Sequence, residues 1–514
     1  MKKLYFFLIL MNIFVRYFDG KIVVDTKFGS IEGFDFITKN GYETEVFLGI
    51  PYAKAPVGNL RFEKPQPPKP WSTTFPAKTL PAPCLTTMIN KNGQEDCLYL
   101  NIVRPKIDSK NPEGYPVLFY IHGGAFLFGS LADSNYQNAA NNLVSKEIIF
   151  VNIQYRLGIF GFFSTNDSTT PGNYGIYDQI QALKFVNEII QDFALKFVNE
   201  IIQDFGGNPK EITICGESAG GASTSLLSMI DEADGLFART ISMSGSVETY
   251  WGLSQQSVKH SKMLANVVNC FGTSEEIKNC LKNLLAEKII DGTKSFIKSI
   301  VMSDTVVELH FGPRIDEELI KNPVDFKEMF KRRTNKPTLI GLCSQEYILF
   351  ATKYPGLDYN ARYVPVSNFD AKYYNQRRFE STVKFLLSEN NEYGIHEKQA
   401  IQDVINFYFS QLKNYNHNHY FQIFVQFMSD LTFNIPAMRE AFDKKNSGHQ
   451  VYFYVFDYTP RQSWLIDGVG HATDIAALFT DVNFGKVGQD FPDMIANFVK
   501  NGMPNFGESC KIQE

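Results

Sequence analysis

Residues 216–220, Gly-Glu-Ser-Ala-Gly, follow directly on the β-branched run Ile212-Thr213-Ile214. A short apolar strand, a serine framed by glycines and a small-residue helix start form a nucleophile elbow. Such a turn is tight enough to hold the serine in a strained backbone conformation. Gly216 and Gly220 remove the side chains that would clash inside it. Ser218 is therefore the candidate nucleophile, its hydroxyl standing over a helix N-terminus whose partial positive charge favours a developing oxyanion. The chemistry open to such a serine is acyl transfer through a covalent intermediate. The alternative is a glycine-rich turn without chemistry, in a chain that holds 36 glycines.

Further residues argue for the chemical reading. Val117–Ile121 reads as a buried strand and runs into His122-Gly123-Gly124-Ala125. A His-Gly-Gly loop after a strand donates backbone N–H groups to an oxyanion hole, so the hole is assigned to Gly124, Ala125 and Ala219. His122 opens that loop and is read as its brace rather than as a base. Scaffolds built on this elbow order their triad serine, acid, histidine along the chain. His471, framed by glycines in Gly468-Val469-Gly470-His471, comes after the strand-like run Val451–Phe456 and is the candidate base. Between the two lies Thr338–Cys343, an apolar strand whose following loop ends in Glu346. Glu346 would hold the imidazole in its working tautomer and stabilise the imidazolium. Asp316 and Asp474 compete for that role. Asp316 suits a strand-end turn, and Asp474, three residues past His471, suits a supporting hydrogen bond.

These residues need a rigid frame. The chain has 514 residues, of which 44% are hydrophobic and 14% aromatic, enough for a large core. Strand and helix patterns alternate without a Ser/Gly-rich linker or a long charge block, which favours one elaborated α/β domain over residues 21–514. A net charge of −5 gives no reason to expect a nucleic-acid partner. No metal-ligand spacing stands out, and the acyl-transfer chemistry needs no cofactor.

The chain resembles the type-B carboxylesterases, the family that also holds the cholinesterases and the non-catalytic neuroligins. The match rests on Phe-Leu-Gly-Ile-Pro-Tyr-Ala (47–53), Leu-Arg-Phe (60–62), Glu-Asp-Cys-Leu-Tyr-Leu-Asn (95–101) and Tyr-Arg-Leu-Gly (155–158). It continues through Gly-Asn-Tyr-Gly-Ile-Tyr-Asp-Gln (172–179), Phe-Gly-Pro-Arg-Ile-Asp (311–316) and Asn-Gly-Met-Pro-Asn (501–505). The resemblance implies an α/β-hydrolase fold, a large central and mostly parallel sheet flanked by helices. It implies two structural ion pairs, Arg61 with Glu95 and Arg156 with Asp178, which would be costly if buried unpaired. It also implies disulfides Cys84–Cys97 and Cys270–Cys280, each closing a loop short enough to contribute about 3 kcal/mol or less. Cys215 and Cys343 then fall in core-like strands. Cys510 is left as the odd thiol, free, in a mixed disulfide, or bridging two chains of a homodimer.

Lys2 and Lys3 precede the apolar run Leu4–Val15, which is too short to span a membrane and fits a secretory signal over residues 1–20. A secreted or lumenal protein without a stable membrane anchor is expected, with Asn166-Asp167-Ser168 as a glycosylation acceptor. One segment breaks the pattern. Residues 182–193, Ala-Leu-Lys-Phe-Val-Asn-Glu-Ile-Ile-Gln-Asp-Phe, recur unchanged at 194–205. A helix continued through both copies turns its packing face by about 120° and loses register. One copy is surplus: either an artefact of sequencing or gene assembly, or an insertion that puts the placing of Ser218 in doubt.

The substrate is constrained from one side. Quaternary ammonium recognition needs an aromatic face, and the family's choline-binding tryptophan lies between the cysteines of the first disulfide. The segment between Cys84 and Cys97 holds no aromatic residue, which argues for uncharged esters. Trp251, Leu309 and Phe311 are candidates for the acyl pocket, with plain core packing as the alternative. A neuroligin-like adhesion or ligand-binding protein is the rival from another class.

Overall fold

A computed structural model of the chain describes residues 22–87, 92–191, 205–254, 256–300, 309–321, 325–331, 335–351, 366–388, 394–412, 419–461 and 466–505. Eleven strands form one sheet: β1 (Ile22–Thr26), β2 (Gly29–Ile37), β3 (Glu43–Pro51), β4 (Phe75–Pro76), β5 (Tyr99–Pro105), β6 (Tyr115–Ile121), β7 (Ile149–Ile153), β8 (Gly207–Glu217), β9 (Arg239–Met243), β10 (Thr338–Cys343) and β11 (Val451–Phe456). Their order is β1-β2-β3-β5-β7-β6-β8-β9-β10-β11, with β4 beside β2. Pairing is antiparallel from β1 to β7 and parallel from β7 onward.

The inner strands of the parallel half are buried on both faces, as helical crossovers require, while the edge strand β11 leaves Phe453 and Val455 exposed. Every residue of β7 and of β10 is buried. Successive side chains point to opposite faces: Val117, Phe119 and Ile121 of β6 enter one core, Leu118 and Tyr120 the other. The order β5-β7-β6-β8 reverses the direction in which strands are added. Ligands of open α/β sheets bind outside the carboxyl ends of the strands at such a switch. His122 follows β6, Ser218 follows β8, Glu346 lies in the loop after β10 and His471 in the loop after β11, all at that end.

Both expected ion pairs form. Arg61 grips Glu95 through two bonds of 2.6 Å, and its Nη1 also donates to the carbonyls of Leu281 (2.8 Å) and Leu284 (2.7 Å). One guanidinium thus joins the first disulfide loop to the end of the helix Ser274–Asn283, which carries Cys280. Arg156 meets Asp178 at 2.8 and 2.7 Å, with Asp178 wholly buried. The disulfides Cys84–Cys97 and Cys270–Cys280 are present, and Cys215 and Cys343 are buried thiols. Asn166 lies in an exposed turn at φ 72°, where its side-chain amide oxygen Oδ1 accepts a bond from the Arg314 guanidinium. Among the described residues, no helix is long and apolar enough to cross a membrane. Residues 1–20, expected to be a signal segment, and Cys510 lie outside the described residues.

The repeat falls on the helix Tyr174–Gln191 and on the connection from that helix to β8. From the first copy, Ala182, Leu183, Phe185 and Val186 are buried in the core, Phe185 with its ring centroid 4.8 Å from that of Phe28. From the second copy, Phe205 is buried edge-on to Phe47 at 4.9 Å, under the Arg104 guanidinium. The rest of the second copy lies outside the described residues. Among the described residues, the core contacts of the repeat come from the start of one copy and the end of the other. Deleting residues 194–205 joins Phe193 to Gly206 and offers Phe193 to the place of Phe205. The shortened protein is expected to melt at the same temperature or a few degrees higher, because closing a shorter connection costs less entropy. Thermal denaturation of both chains checks this; a clear drop in melting temperature would mean that the inserted residues carry packing of their own.

Candidate active site

Ser218 sits between β8 and the helix Ala219–Leu227 with φ 56° and ψ −122°, a strained conformation for a residue with a Cβ. The turn closes because side chains are missing at two glycines. A Cβ on Gly216 would strike the backbone of Gly220, and one on Gly220 would strike the carbonyl of Ile121. The strain is held by packing on all sides. The Ser218 N–H donates to the Met243 carbonyl at 2.8 Å, and its own carbonyl receives the Ala222 N–H at 2.9 Å.

The loop after β6 passes so close that a Cβ on Gly123 would lie 3.0 Å from that of Ser218. Gly124, Ala125 and Phe126 then run through successive positive φ angles of 98°, 54° and 56°. Among the described residues, no hydrogen bond uses the N–H of Gly124, Ala125 or Ala219. Backbone donors left open inside a fold are rare, and here three come from the two loops that flank the serine. His122 braces this loop. Its Nδ1 lies 2.8 Å from the Gly123 carbonyl, its ring stacks on Tyr155 at 4.5 Å, and the Tyr155 hydroxyl donates to its carbonyl. Burial holds its basicity below that of an ordinary imidazole.

Glu346 and His471 lie 125 residues apart and meet because β10 and β11 are adjacent parallel strands, with Cys343 opposite Phe456. Their loops are stitched together: Gln345 N–H donates to the Val469 carbonyl, and Val469 N–H to the Ser344 hydroxyl. His471 Nδ1 lies 2.6 Å from Glu346 Oε2. Glu346 is fully buried, and its Oε1 accepts the Ser244 hydroxyl and the Cys343 N–H, both at 2.6 Å. Contacts thus run in a ring from Ser218 to Met243, on to its neighbour Ser244, then to Glu346, His471 and Glu217, which precedes Ser218.

The competing carboxylates are employed elsewhere. Asp316 accepts the N–H groups of Glu318, Leu319 and Ile320 in a turn. Asp474 does support a hydrogen bond, but its partner is the Tyr454 hydroxyl at 2.9 Å. The pocket candidates separate. Trp251 is buried, donates to the Thr432 carbonyl at 3.2 Å and packs on Phe433, whose ring lies 4.7 Å from that of His471. Phe311 packs on His260 and Phe296, and the Leu309 carbonyl accepts the Ser254 hydroxyl.

Four residues of the site carry little signal in the sequence. Glu217 reads as a spacer within the motif, yet its Oε1 lies 3.1 Å from His471 Nε2, a charge contact rather than an aligned hydrogen bond. Ser244 offers only the weak signal of a Ser-Gly-Ser after a strand. Phe350 and Phe433 flank the imidazole with rings stacked at 5.9 Å. Phe433 reaches it from Asp430–Asn434, a π-helical turn of the kind that often marks functional sites.

The electrostatics follow from crowding. Burial alone would push the His471 imidazole down, but the charges of Glu217, Glu346 and Asp474 reverse this and hold it up at about 9. Burial raises Glu217 to about 8, aided by Asp474 and Glu346 and opposed by His471. Burial and Glu346 raise Asp474 to about 6. Near neutral pH the cluster therefore retains a proton that a free imidazole would have released.

Fold and site together define an α/β-hydrolase with a nucleophile elbow. The carboxylesterase family model matches residues 20–194 and 191–512, its two segments meeting inside the duplicated stretch. Gut esterase 1 of Caenorhabditis briggsae is 33% identical over 510 residues, covering 94% of this chain and 85% of that protein. Liver carboxylesterase 1F of Rattus norvegicus is 31% identical over 531 residues (94% and 86%), and juvenile hormone esterase of Tribolium castaneum 29% over 492 residues (89% and 78%). The chain belongs to the carboxylesterase family, and it is an ester hydrolase.

The retained proton has a measurable consequence. Because a base must be unprotonated, kcat/KM should rise with pH through a limb above the ordinary imidazole value of about 6.5. Glu217→Gln removes the largest charge holding the proton on His471, so the limb should fall by about one unit or more. A pH–rate profile of both proteins with a neutral ester checks this, and coincident limbs would show that Glu217 does not set the basicity of His471.

Proposed function

We propose that the protein is a secreted serine esterase that cleaves uncharged carboxylic esters through an acyl-enzyme. Ser218 Oγ attacks the ester carbonyl carbon while His471 takes its proton. Glu346 keeps Nδ1 of the imidazole protonated and oriented, so that Nε2 is the accepting atom. The carbonyl oxygen becomes an oxyanion that draws on the open N–H groups of Gly124, Ala125 and Ala219, each such donor being worth about 3 kcal/mol of barrier. The tetrahedral intermediate collapses, the C–O bond breaks, and the alcohol leaves with the proton from His471. A water then gives its proton to His471 and attacks the acyl carbon, and the carboxylic acid departs as Ser218 recovers its hydrogen.

The observation that carries this reading is the buried Glu346–His471 bond, linked through Ser244 and Met243 to the strained Ser218 turn. The surroundings of His471 support an apolar acyl group, since Phe350, Phe433 and, behind it, Trp251 are the nearby rings. The lack of any aromatic residue between Cys84 and Cys97 supports an uncharged leaving alcohol. Secretion is supported by the apolar run Leu4–Val15 and by the two disulfides. An adhesion role without catalysis is not favoured, because serine, glutamate and histidine are all retained.

The test is burst hydrolysis of a short-chain p-nitrophenyl ester. Ser218→Ala should abolish the burst and lower turnover by at least about a thousandfold. Glu346→Gln, which keeps the shape but weakens control of the tautomer, should lower kcat by about 10³–10⁴ with little change in KM. A Ser218→Ala protein that still gives a stoichiometric burst would place the nucleophile elsewhere.

A further inference from the structure

The helix Ile435–Asn446 turns a charged pair inward. Glu440 and Lys444 are 0% and 1% exposed, with Nζ 2.8 Å from Oε1 and the ammonium over the ring of Phe330. Replacing a buried ion pair by apolar side chains is often neutral or stabilising, so stability alone does not account for it. Its contacts lead towards the site. Glu440 Oε2 accepts the hydroxyl of Ser225 at 2.7 Å, on the same short helix that Ser218 begins. The Ser225 Oγ in turn accepts the Val247 N–H at 3.2 Å. Val247 opens the turn that carries Trp251, closed by bonds from the Thr249 hydroxyl to the Ser246 carbonyl and from the Gly252 N–H to the Thr249 carbonyl. Trp251 donates to the Thr432 carbonyl, and Thr432 lies in the π-helical turn that leads back into the helix Ile435–Asn446. The circuit is closed, and its one aromatic wall packs on Phe433 beside His471.

Within that turn Glu248 has a side chain only 3% exposed, with Oε2 3.9 Å from Arg439 Nε and Oε1 unpaired. The charged groups facing it are Glu440, Asp443, Arg439 and Lys444, all from the same helix.

We propose that Glu440 and Lys444, acting through Ser225, are positioning residues that hold Trp251 against the acyl side of the site, and that Glu248 is the proton-sensitive member that releases it. The inference rests on the hydrolase reading. While Glu248 is protonated, the turn carries no charge to oppose Glu440. When the proton leaves, a second carboxylate faces Glu440 and Asp443 with one oxygen unpaired, and the turn is driven outward. Burial, Glu440 and Asp443 hold Glu248 at about 8, against the opposing Arg439 and Lys444. The pocket is therefore narrow at neutral pH and wider above about 8.

The experiment compares kcat/KM for acetyl and decanoyl esters of one alcohol between pH 6.5 and 9.5. Because both substrates use the same base, protonation of His471 and Glu217 cancels in the ratio. In the wild-type protein the decanoyl-to-acetyl ratio should rise with pH by about tenfold, the scale on which pocket fit discriminates chain length. Glu248→Gln, which has the same shape and no charge to lose, should hold the low-pH ratio throughout while hydrolysing the acetyl ester normally. The double variant Glu440→Gln, Lys444→Met should show the raised ratio already at pH 6.5. Thermal melting identifies a variant that has failed to fold, and Glu248→Gln alone then decides. A ratio constant with pH in the wild type, or a Glu248→Gln profile that follows it, would overturn the inference while leaving the hydrolase reading intact. A wild-type protein silent on every ester would remove both.

Discussion

A carboxylate without solvent needs donors, and Glu346 is met by three of them. Its two oxygens take the Cys343 N–H, the Ser244 hydroxyl and His471 Nδ1, and each partner comes from a different part of the sheet's carboxyl end. Removing any one takes a hydrogen bond from a buried carboxylate, which costs about 1.5–3 kcal/mol. This one side chain therefore ties β9, β10 and the loop after β11 into a fixed arrangement. Since the Ser218 N–H is bonded to Met243, the residue before Ser244, the nucleophile turn is held to the same point.

Around that centre the chain buries more acid than an imidazole can balance. Glu217, Glu346 and Asp474 all lie close enough to His471 to raise its proton affinity. Such an arrangement favours the imidazolium and keeps the resting imidazole protonated to a higher pH. Glu217 is the member that favours the proton without orienting the ring, because its contact with Nε2 is not aligned as a hydrogen bond. The Glu346 bond does both. The same logic recurs behind Trp251, where Glu440, Lys444 and Glu248 lie buried together on one helix and the turn beside it. In both places the fold accepts the cost of buried charge where a side chain must be held in one orientation.

The second copy of the duplication falls between two elements that are fixed by other parts of the chain. The sheet is set by pairing between strands, and the helix Tyr174–Gln191 is set by residues up to Val186. The residues between Gln191 and Phe205 lie outside the described residues. After them β8 keeps its parallel register with β6 and β9, and the elbow follows at its end.

The local elements are legible because they depend on short-range rules. The strand–glycine–serine–glycine pattern at 216–220 dictates a tight turn, the His-Gly-Gly loop dictates a backbone of positive φ, and alternating apolar runs dictate buried strands. Asp316 satisfies the same chain order as Glu346, and only the apolar strand Thr338–Cys343 running into the loop of Glu346 favours the latter; the structure places Glu346 on His471 and Asp316 in a turn. The pairing of loops hundreds of residues apart is not written in any local stretch. That Glu217 faces the imidazole, that Ser244 completes the donors of Glu346, and that Phe433 rather than Phe311 lines the base depend on the parallel register of β8 to β11 and on one π-helical turn. Side-chain type and spacing are local properties of the chain, whereas burial and proton affinity are set by neighbours that only folding brings together.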